Sequence, residues 1–467
     1  MKLNRITKRA IMMLFIITLF SCEDFVEIDT PNNKLVRSEV FNSNETAISA
    51  MTGIYNQLYM SSFSNGSRSS VTFLCGLSAD NLSNLNTTNL PRMQFQENEI
   101  FPDNQHNLDL WASAYNIIYL TNSFLEGLKN SEGIELEVNL QLEGEAKFVR
   151  AFTYFYLTNL YGDVPLILTT NYRSNELEPR SPASEIYQQI ENDLLSAIDL
   201  MGINYREGER TVANKSVATA FLARVYLYLE EWELAENYSK MLIEGDSMYE
   251  ILDDPNAVFL ANSKEAIWQL SPLGSGGIVS HTNEGNIFII DPVLSFFATV
   301  KLTSNFLESL GSEDRRLIEW TSYNSSRDAA FPHKYKIRNS SEFPIEEYSM
   351  ALRLAEQYLI SSEAKARQGD LSGAIEDLNI IKNRAGTALI SEESLGITRD
   401  ELLEKIMEER RKELFTEWGH RWFDLKRTGQ ASAVLGDNPS WEDTDVFYPV
   451  PAEERMKNPN LSQNSGY

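Results

Sequence analysis

The chain has 467 residues, a formal net charge of −26 and a hydrophobic content of 42%, enough apolar material for one large domain or two or three smaller ones. So acidic a balance argues against a nucleic-acid binder, whose phosphate contacts need basic patches, and against attachment to anionic lipid; it favours neutral or cationic ligands only weakly. Two cysteines, Cys22 and Cys75, are too few for a disulfide framework or a thiolate zinc site.

Lys2, Arg5, Lys8 and Arg9 precede an apolar run from Ile11 to Phe20 that only Thr18 interrupts. The run falls short of the roughly 20 residues that span a bilayer. A basic start before a short apolar run is the pattern of a removed export signal. It ends Leu19-Phe20-Ser21-Cys22, similar to a bacterial lipobox, in which the cysteine is acylated and becomes the new N-terminus. Residues 1–21 are expected to form a lipoprotein signal peptide and 22–34 a lipidated tether, with Cys22 the lipidation site. Glu23 and Asp24 resemble the surface-export signal of lipoproteins in the Bacteroidetes. The signal carries four basic residues and no acids, so its loss takes the charge from −26 to −30. No basic cluster then supplies a second attachment, and multiple acylation at Cys22 is the expected anchor to the outer membrane.

Residues 35–467 read as a single domain. Ala47, Ile48, Met51, Ile54, Tyr55 and Leu58 predict a helix over 45–59. Residues 61–106 lose that period, are rich in Ser, Asn, Phe and Gly, and read as a long loop-rich segment, a kind that is usually functional. Within it Cys75 follows Val71-Thr72-Phe73-Leu74 and reads as a buried small hydrophobe. Helices are predicted over 107–129 and 139–161, the latter stopped by Gly162 and Pro165. Others follow over 183–200, 214–230 and 232–243. From 250 to 348 short apolar runs, such as 266–270 and 287–290, alternate with Gly, Ser, Asn and Pro, giving an irregular insert with a few short strands. Helices return over 351–368, 371–385 and 399–418, before a loop-like tail from Gly436. Trp232 with Ala235, and Leu371 with Ala374, open the second helices of two hairpins with the apolar-then-Ala spacing that tetratricopeptide-type packing needs. The fold class is mainly α: interrupted helical repeats (scaffold about 45–60, 107–245 and 351–430) with an irregular half (about 61–106 and 250–348).

Several segments together resemble the SusD/RagB family of outer-membrane nutrient-binding lipoproteins. They are Leu110 to Ile118, Glu145 to Ala151, Tyr161-Gly162-Asp163-Val164-Pro165-Leu166, Arg353 to Ile360, Leu378 to Gly386, Glu408 to Leu414 running on to Gly419–Arg427, and the ending from Pro449 to Tyr467. The resemblance implies four tetratricopeptide-type helical pairs and a ligand-binding irregular half. It further implies a lid on a SusC-like TonB-dependent outer-membrane barrel, facing the cell exterior. The implied ligand is an oligosaccharide or polysaccharide, or peptide in the RagB branch. A surface glycoside hydrolase and a purely structural repeat scaffold are the readings from other classes.

Glu408, Glu409, Arg410, Arg411 and His420 cluster in the C-terminal segment, but carboxylates and arginines at helical spacing pair with one another in a core. None of His106, His281, His333 and His420 has a metal-ligand spacing. No nucleophile elbow or P-loop is present. No enzyme, metal or other cofactor is expected. Sugar binding needs aromatic faces with polar groups beside them. The expected contacts are Phe73, Asp80, Asn81, Asn86, Arg92 and Phe95 in the first irregular region and His281, Asn283, Phe288, Trp320 and Tyr323 in the second. Trp111, Trp268, Trp418 and Trp422 are assigned to the core, and Trp441 to an exposed loop.

Overall fold

The computed structural model describes residues 40–245, 248–391 and 396–467. The expected signal, Cys22 and the tether lie outside them. In chain order the elements are α1 (Asn44–Met60), α2 (Val71–Ser78), β1 (Leu82–Asn84), α3 (Leu90–Gln96), α4 (Gln105–Lys129), α5 (Leu136–Tyr161), α6 (Ala183–Leu200), α7 (Lys215–Tyr228) and α8 (Trp232–Gly245). The insert contributes β2 (Ala266–Leu270), α9 (Asn283–Phe288), β3 (Val300–Leu302), α10 (Ser304–Leu310), α11 (Arg315–Glu319), β4 (Thr321–Asn324) and β5 (Ala329–Pro332). β6 (Ser349–Arg353), α12 (Leu354–Gln368), α13 (Leu371–Ala385), α14 (Arg399–Glu413) and α15 (His420–Arg427) follow.

The helices start where side chains satisfy their free N–H groups. Ser43 accepts from the Thr46 N–H, the Asn104 side chain from those of His106 and Asn107, and Thr398 forms a capping box with Glu401. α4 to α8 pack each against the next, and α8 packs on α12, which packs on α13 and α14. The repeat array thus continues across an insert of about a hundred residues as though it were absent. Ala235 and Ala374 are fully buried where their hairpins cross, which lets the helix backbones approach closely. Phe152 of α5 sits among the rings of Tyr156, Trp268, Trp418 and Phe221, with centroids 5.0–5.2 Å away.

Insert and scaffold meet at a buried ion network. Arg353 binds Glu265 (3.0 Å), Glu413 (2.5 Å) and Glu417 (2.8 Å). Arg384 reaches Glu265 and Glu413, Arg316 reaches Asp314, Glu409 and Glu413, and Lys334 reaches Glu417. Burial alone would raise the Glu413 carboxyl, but Arg384, Arg353, Arg316 and Lys334 outweigh it and hold the group well below the usual carboxylate range. The Trp320 ring lies against Lys334, Arg384 and Arg353, 4.6–5.8 Å from its centroid.

Four local expectations change. Residues 61–106 hold two short helices, α2 and α3, capped by Ser70 and Asn89. Nearly every residue of α2 is buried, so it shows no amphipathic period to read. The run 287–290 closes helix α9 rather than forming a strand. The helix expected over 399–418 stops at Glu413, and Thr416 and Trp418 take left-handed backbone, which turns Trp418 into the core to donate to the Met350 carbonyl. Trp441 is half-buried, packed edge-on to Trp422 rather than exposed.

Candidate ligand-binding face

Two distant stretches build the irregular half. β1 pairs antiparallel with β3, placing Leu82 opposite Leu302, and β3 packs on the β4–β5 hairpin. Behind them Ile290, Ala329 and Phe331, with Leu85, Ile289 and Ala298, form a small core of their own. On this base stands the loop 291–298. Asp291 accepts from the N–H groups of Val293 and Leu294 at 2.8 and 2.7 Å and pairs with Arg338 at 3.1 Å. Ser326 of the hairpin turn donates to Ser295 at 3.0 Å. The loop is therefore fixed at its start, its middle and its base, yet its apolar side chains point outward. Phe296 is 63% and Phe297 57% exposed, their ring centroids 4.3 Å apart. Tyr323 on β4 is 60% exposed, and its hydroxyl donates to Asp328, which raises its pKa. Val293 and Leu294 extend the apolar surface. An apolar cluster held open to water on a braced loop marks a binding surface.

The expected contact residues divide by burial. Tyr323 and Asn86 are exposed, and Asp80, His281 and Asn283 are half-buried. The other six are buried and present no open face. Phe73 and Phe288 stack on each other inside the core at 6.1 Å, Phe95 packs edge-on to Tyr448, and Trp320 is fully buried with its indole N–H donating to the Pro255 carbonyl. Asn81 is buried and accepts from Arg411, and Arg92 is buried beneath the surface of α3. Asp80 is half-exposed but occupied, bound by Arg421 at 2.7 Å and Arg411 at 2.8 Å, which ties the first irregular region to the C-terminal segment. His281 Nδ1 lies 2.9 Å from the backbone nitrogen and oxygen of Ser340, and Asn283 donates to the Asn65 carbonyl, so both brace loops. Sequence reasoning missed Phe296 and Phe297. Their run, Val293-Leu294-Ser295-Phe296-Phe297, looks like a buried strand until the asparagine-like turn at Asp291 is seen to lift it outward.

Beneath this half lies a group that responds to rising pH. Glu284 of α9 is buried with Ser349 Oγ 2.5 Å from Oε1. It fits only because Gly66 lacks a side chain: a Cβ there would lie 2.2 Å from the Glu284 carboxyl, and the φ of +73° is one glycine adopts freely. Burial pushes the carboxyl up from its ordinary 4.5 to about 7. The folded chain thus keeps a proton that the unfolded chain loses above 4.5, so this group's contribution is full below that pH and is lost as pH rises through about 7. Glu284→Gln is expected to raise the thermal midpoint at about pH 8 and change it little near pH 5. Equal shifts at both pH values would refute this.

A second aromatic surface lies on the scaffold, a groove of about 460 Å³ lined by Trp111, Tyr115, Tyr119, Tyr172, Pro165 and Lys457. Another cavity, about 740 Å³, is lined by Lys382, Glu401, Glu404, Lys405 and Glu408 and has no aromatic ring among the described residues. In the C-terminal segment Glu409 and Glu413 are buried against Arg316, and Arg410 against Asp424 at 2.9 Å. Cys75 is buried and its thiol pushed up to about 12, so it is an inert core residue.

A repeat scaffold presenting a braced, loop-built aromatic face defines a binding protein of the helical-repeat class. The family model described as starch-binding and associating with the outer membrane matches residues 24–227, and that of the SusD family matches residues 321–467. The chain belongs to the SusD family, a carbohydrate-binding family. Two SusD-like proteins of Formosa agariphila are 25% and 26% identical, over 97–98% of this chain and 98% of theirs. The starch-binding protein SusD of Bacteroides thetaiotaomicron is 22% identical over 73% of this chain and 75% of its own. A SusD superfamily protein from Bacteroides vulgatus superposes with a TM-score of 0.80 at 21% identity, over 91% of this chain and all of that one. A laminarin-binding SusD-like protein superposes at 0.76, with 21% identity and the same coverage. Among the described residues no helix is long and apolar enough to cross a membrane.

Proposed function

We propose that the chain captures glycan at the cell surface and delivers it to a SusC-like TonB-dependent outer-membrane barrel, held to the outer membrane by lipid on Cys22. The observation that carries this is the exposed group of Phe296, Phe297 and Tyr323 on its braced loop and hairpin. Rings fixed in place present flat apolar area to the C–H face of a sugar at little entropic cost, and asparagine and arginine side chains nearby read hydroxyls. The reading is of binding without catalysis, since the buried carboxylates of the C-terminal segment are held in ion pairs away from any substrate. Capture of peptide is the alternative within the same surface.

Affinity electrophoresis of the full chain in detergent through gels containing single polysaccharides tests the proposal. One gel is expected to retard it. Phe296→Ala with Phe297→Ala is expected to weaken that retention about tenfold, the loss of about 1.5 kcal/mol of stacking. Retention unchanged in the double variant sinks the assignment of this face. Release of reducing ends by the pure protein would overturn the non-catalytic reading.

A further inference from the structure

Arginine is almost never idle in this acidic chain. Among the described residues all but three arginines bond to a carboxylate, a carbonyl or another polar side chain, from Arg150 with Asp193 to Arg455 with the Leu461 carbonyl. The exceptions are Arg68, Arg92 and Arg327, whose guanidinium groups bond to no described residue. All three lie in the irregular half. Arg92 is only 8% exposed, and its buried Nη1 has no partner. The Nε of Arg327 is likewise buried and unpartnered. A desolvated cation without a counter-charge is costly, and a chain with 67 acidic residues had every opportunity to supply one.

Their placement relative to the aromatic loop is consistent. Arg327 occupies the β4–β5 turn, next to Ser326, which donates to Ser295 in the loop of Phe296 and Phe297. On the other flank Arg338 binds Asp291 at the start of that loop. Asn283 at the start of α9 donates to the Asn65 carbonyl, which sets the loop carrying Arg68 against α9, and Arg68 lies near enough to Arg338, and Arg92 to Arg68, for burial first and the neighbouring charge second to lower each pKa. The carboxylates of this face are already engaged, Asp291 by Arg338 and Asp328 by the Tyr323 hydroxyl; Asp109, near Ser69, accepts from Ser69 and Gln105.

We infer that the glycan captured here is acidic, a polysaccharide bearing carboxylate or sulfate groups, with Arg327 beside Phe296 and Phe297 and Arg68 in the neighbouring loop receiving the anions and buried Arg92 adding positive potential. This rests on the glycan-capture reading. A planar guanidinium donates two parallel N–H bonds to a carboxylate or sulfate and is the side chain best matched to either. The net charge of the chain repels polyanions at long range, but screening confines that effect, and the local arginines decide contact.

Full chain in detergent is run through gels containing polygalacturonate, a sulfated galactan, laminarin or starch, and through carboxyl-reduced and desulfated counterparts of the first two. Retardation by one acidic polymer and not by its neutralised counterpart is expected, and which polymer retards names carboxylate or sulfate. Arg68→Gln and Arg327→Gln, both at accessible positions, are each expected to weaken retention at least about tenfold with an unchanged thermal midpoint. Retention by a neutral glycan, undiminished in both variants, overturns the acidic ligand while leaving glycan capture standing. Retention by an acidic polymer that both variants share with the unsubstituted chain overturns the role of these arginines. Retention by none of the polymers overturns the inference and the glycan reading together.

Discussion

Arg353→Met is expected to cost about 3–5 kcal/mol of folding stability. Arg353 donates five hydrogen bonds, to Glu265, Glu413 and Glu417 carboxylates and to the Glu413 carbonyl, all buried. Methionine fills much of the same volume, so packing is largely kept and the loss is electrostatic. Glu417 is left with Lys334 alone, and burial has already pushed Lys334 down to about 8. The depressed carboxyl of Glu413 makes the same point through pH. Its folded value lies below its ordinary 4.5, so its contribution is present above that pH and is lost as pH falls further, toward the folded value. Denaturant midpoints for Arg353→Met and the unsubstituted chain measure the cost. A loss under about 1 kcal/mol, the scale of an exposed pair, would show that the network does not hold insert and scaffold together.

Phe152→Ala is expected to cost a similar amount, about 3–5 kcal/mol. The ring is fully buried and touches rings from α5, α7, β2 and the turn carrying Trp418. Truncation leaves a cavity that rigid aromatic neighbours cannot close. Phe152→Leu, which keeps most of the volume, should lose markedly less. Thermal unfolding of the two variants separates the effects. Equal losses would mean that ring volume does not set the cost.

The scaffold was legible because its helices carry their apolar residues on one face, with polar turns and small residues at the crossings, as at Ala235 and Ala374. Periodicity of that kind is local. The irregular half has none, and there residue type misleads. Trp320 looks like a sugar platform in a loop-rich stretch, but three buried cations surround it, contributed by residues far along the chain. Phe73 and Phe288, 215 positions apart, face each other only once loop 63–70 lies against α9. Phe296 and Phe297 look like core and are surface. Exposure in this half is decided by long-range packing, and one sequence carries no local signal for it. Tyr323 and Asn86, expected by type, are exposed, and Arg68 and Arg327 stand out only by lacking a partner among the described residues.

The β1–β3 pairing brings Leu82 opposite Leu302. Closing so long a loop adds little to the thermodynamic cost, since that cost grows only with the logarithm of length, but non-local pairings of this kind form slowly. Helices α4 to α8 are neighbours in sequence and can assemble as each arrives. The ground on which the aromatic loop stands needs residues 82–84, 300–302 and 329–332 at once. Competence to hold a ligand is therefore a property of the finished chain, acquired last: the scaffold stands before the grip does.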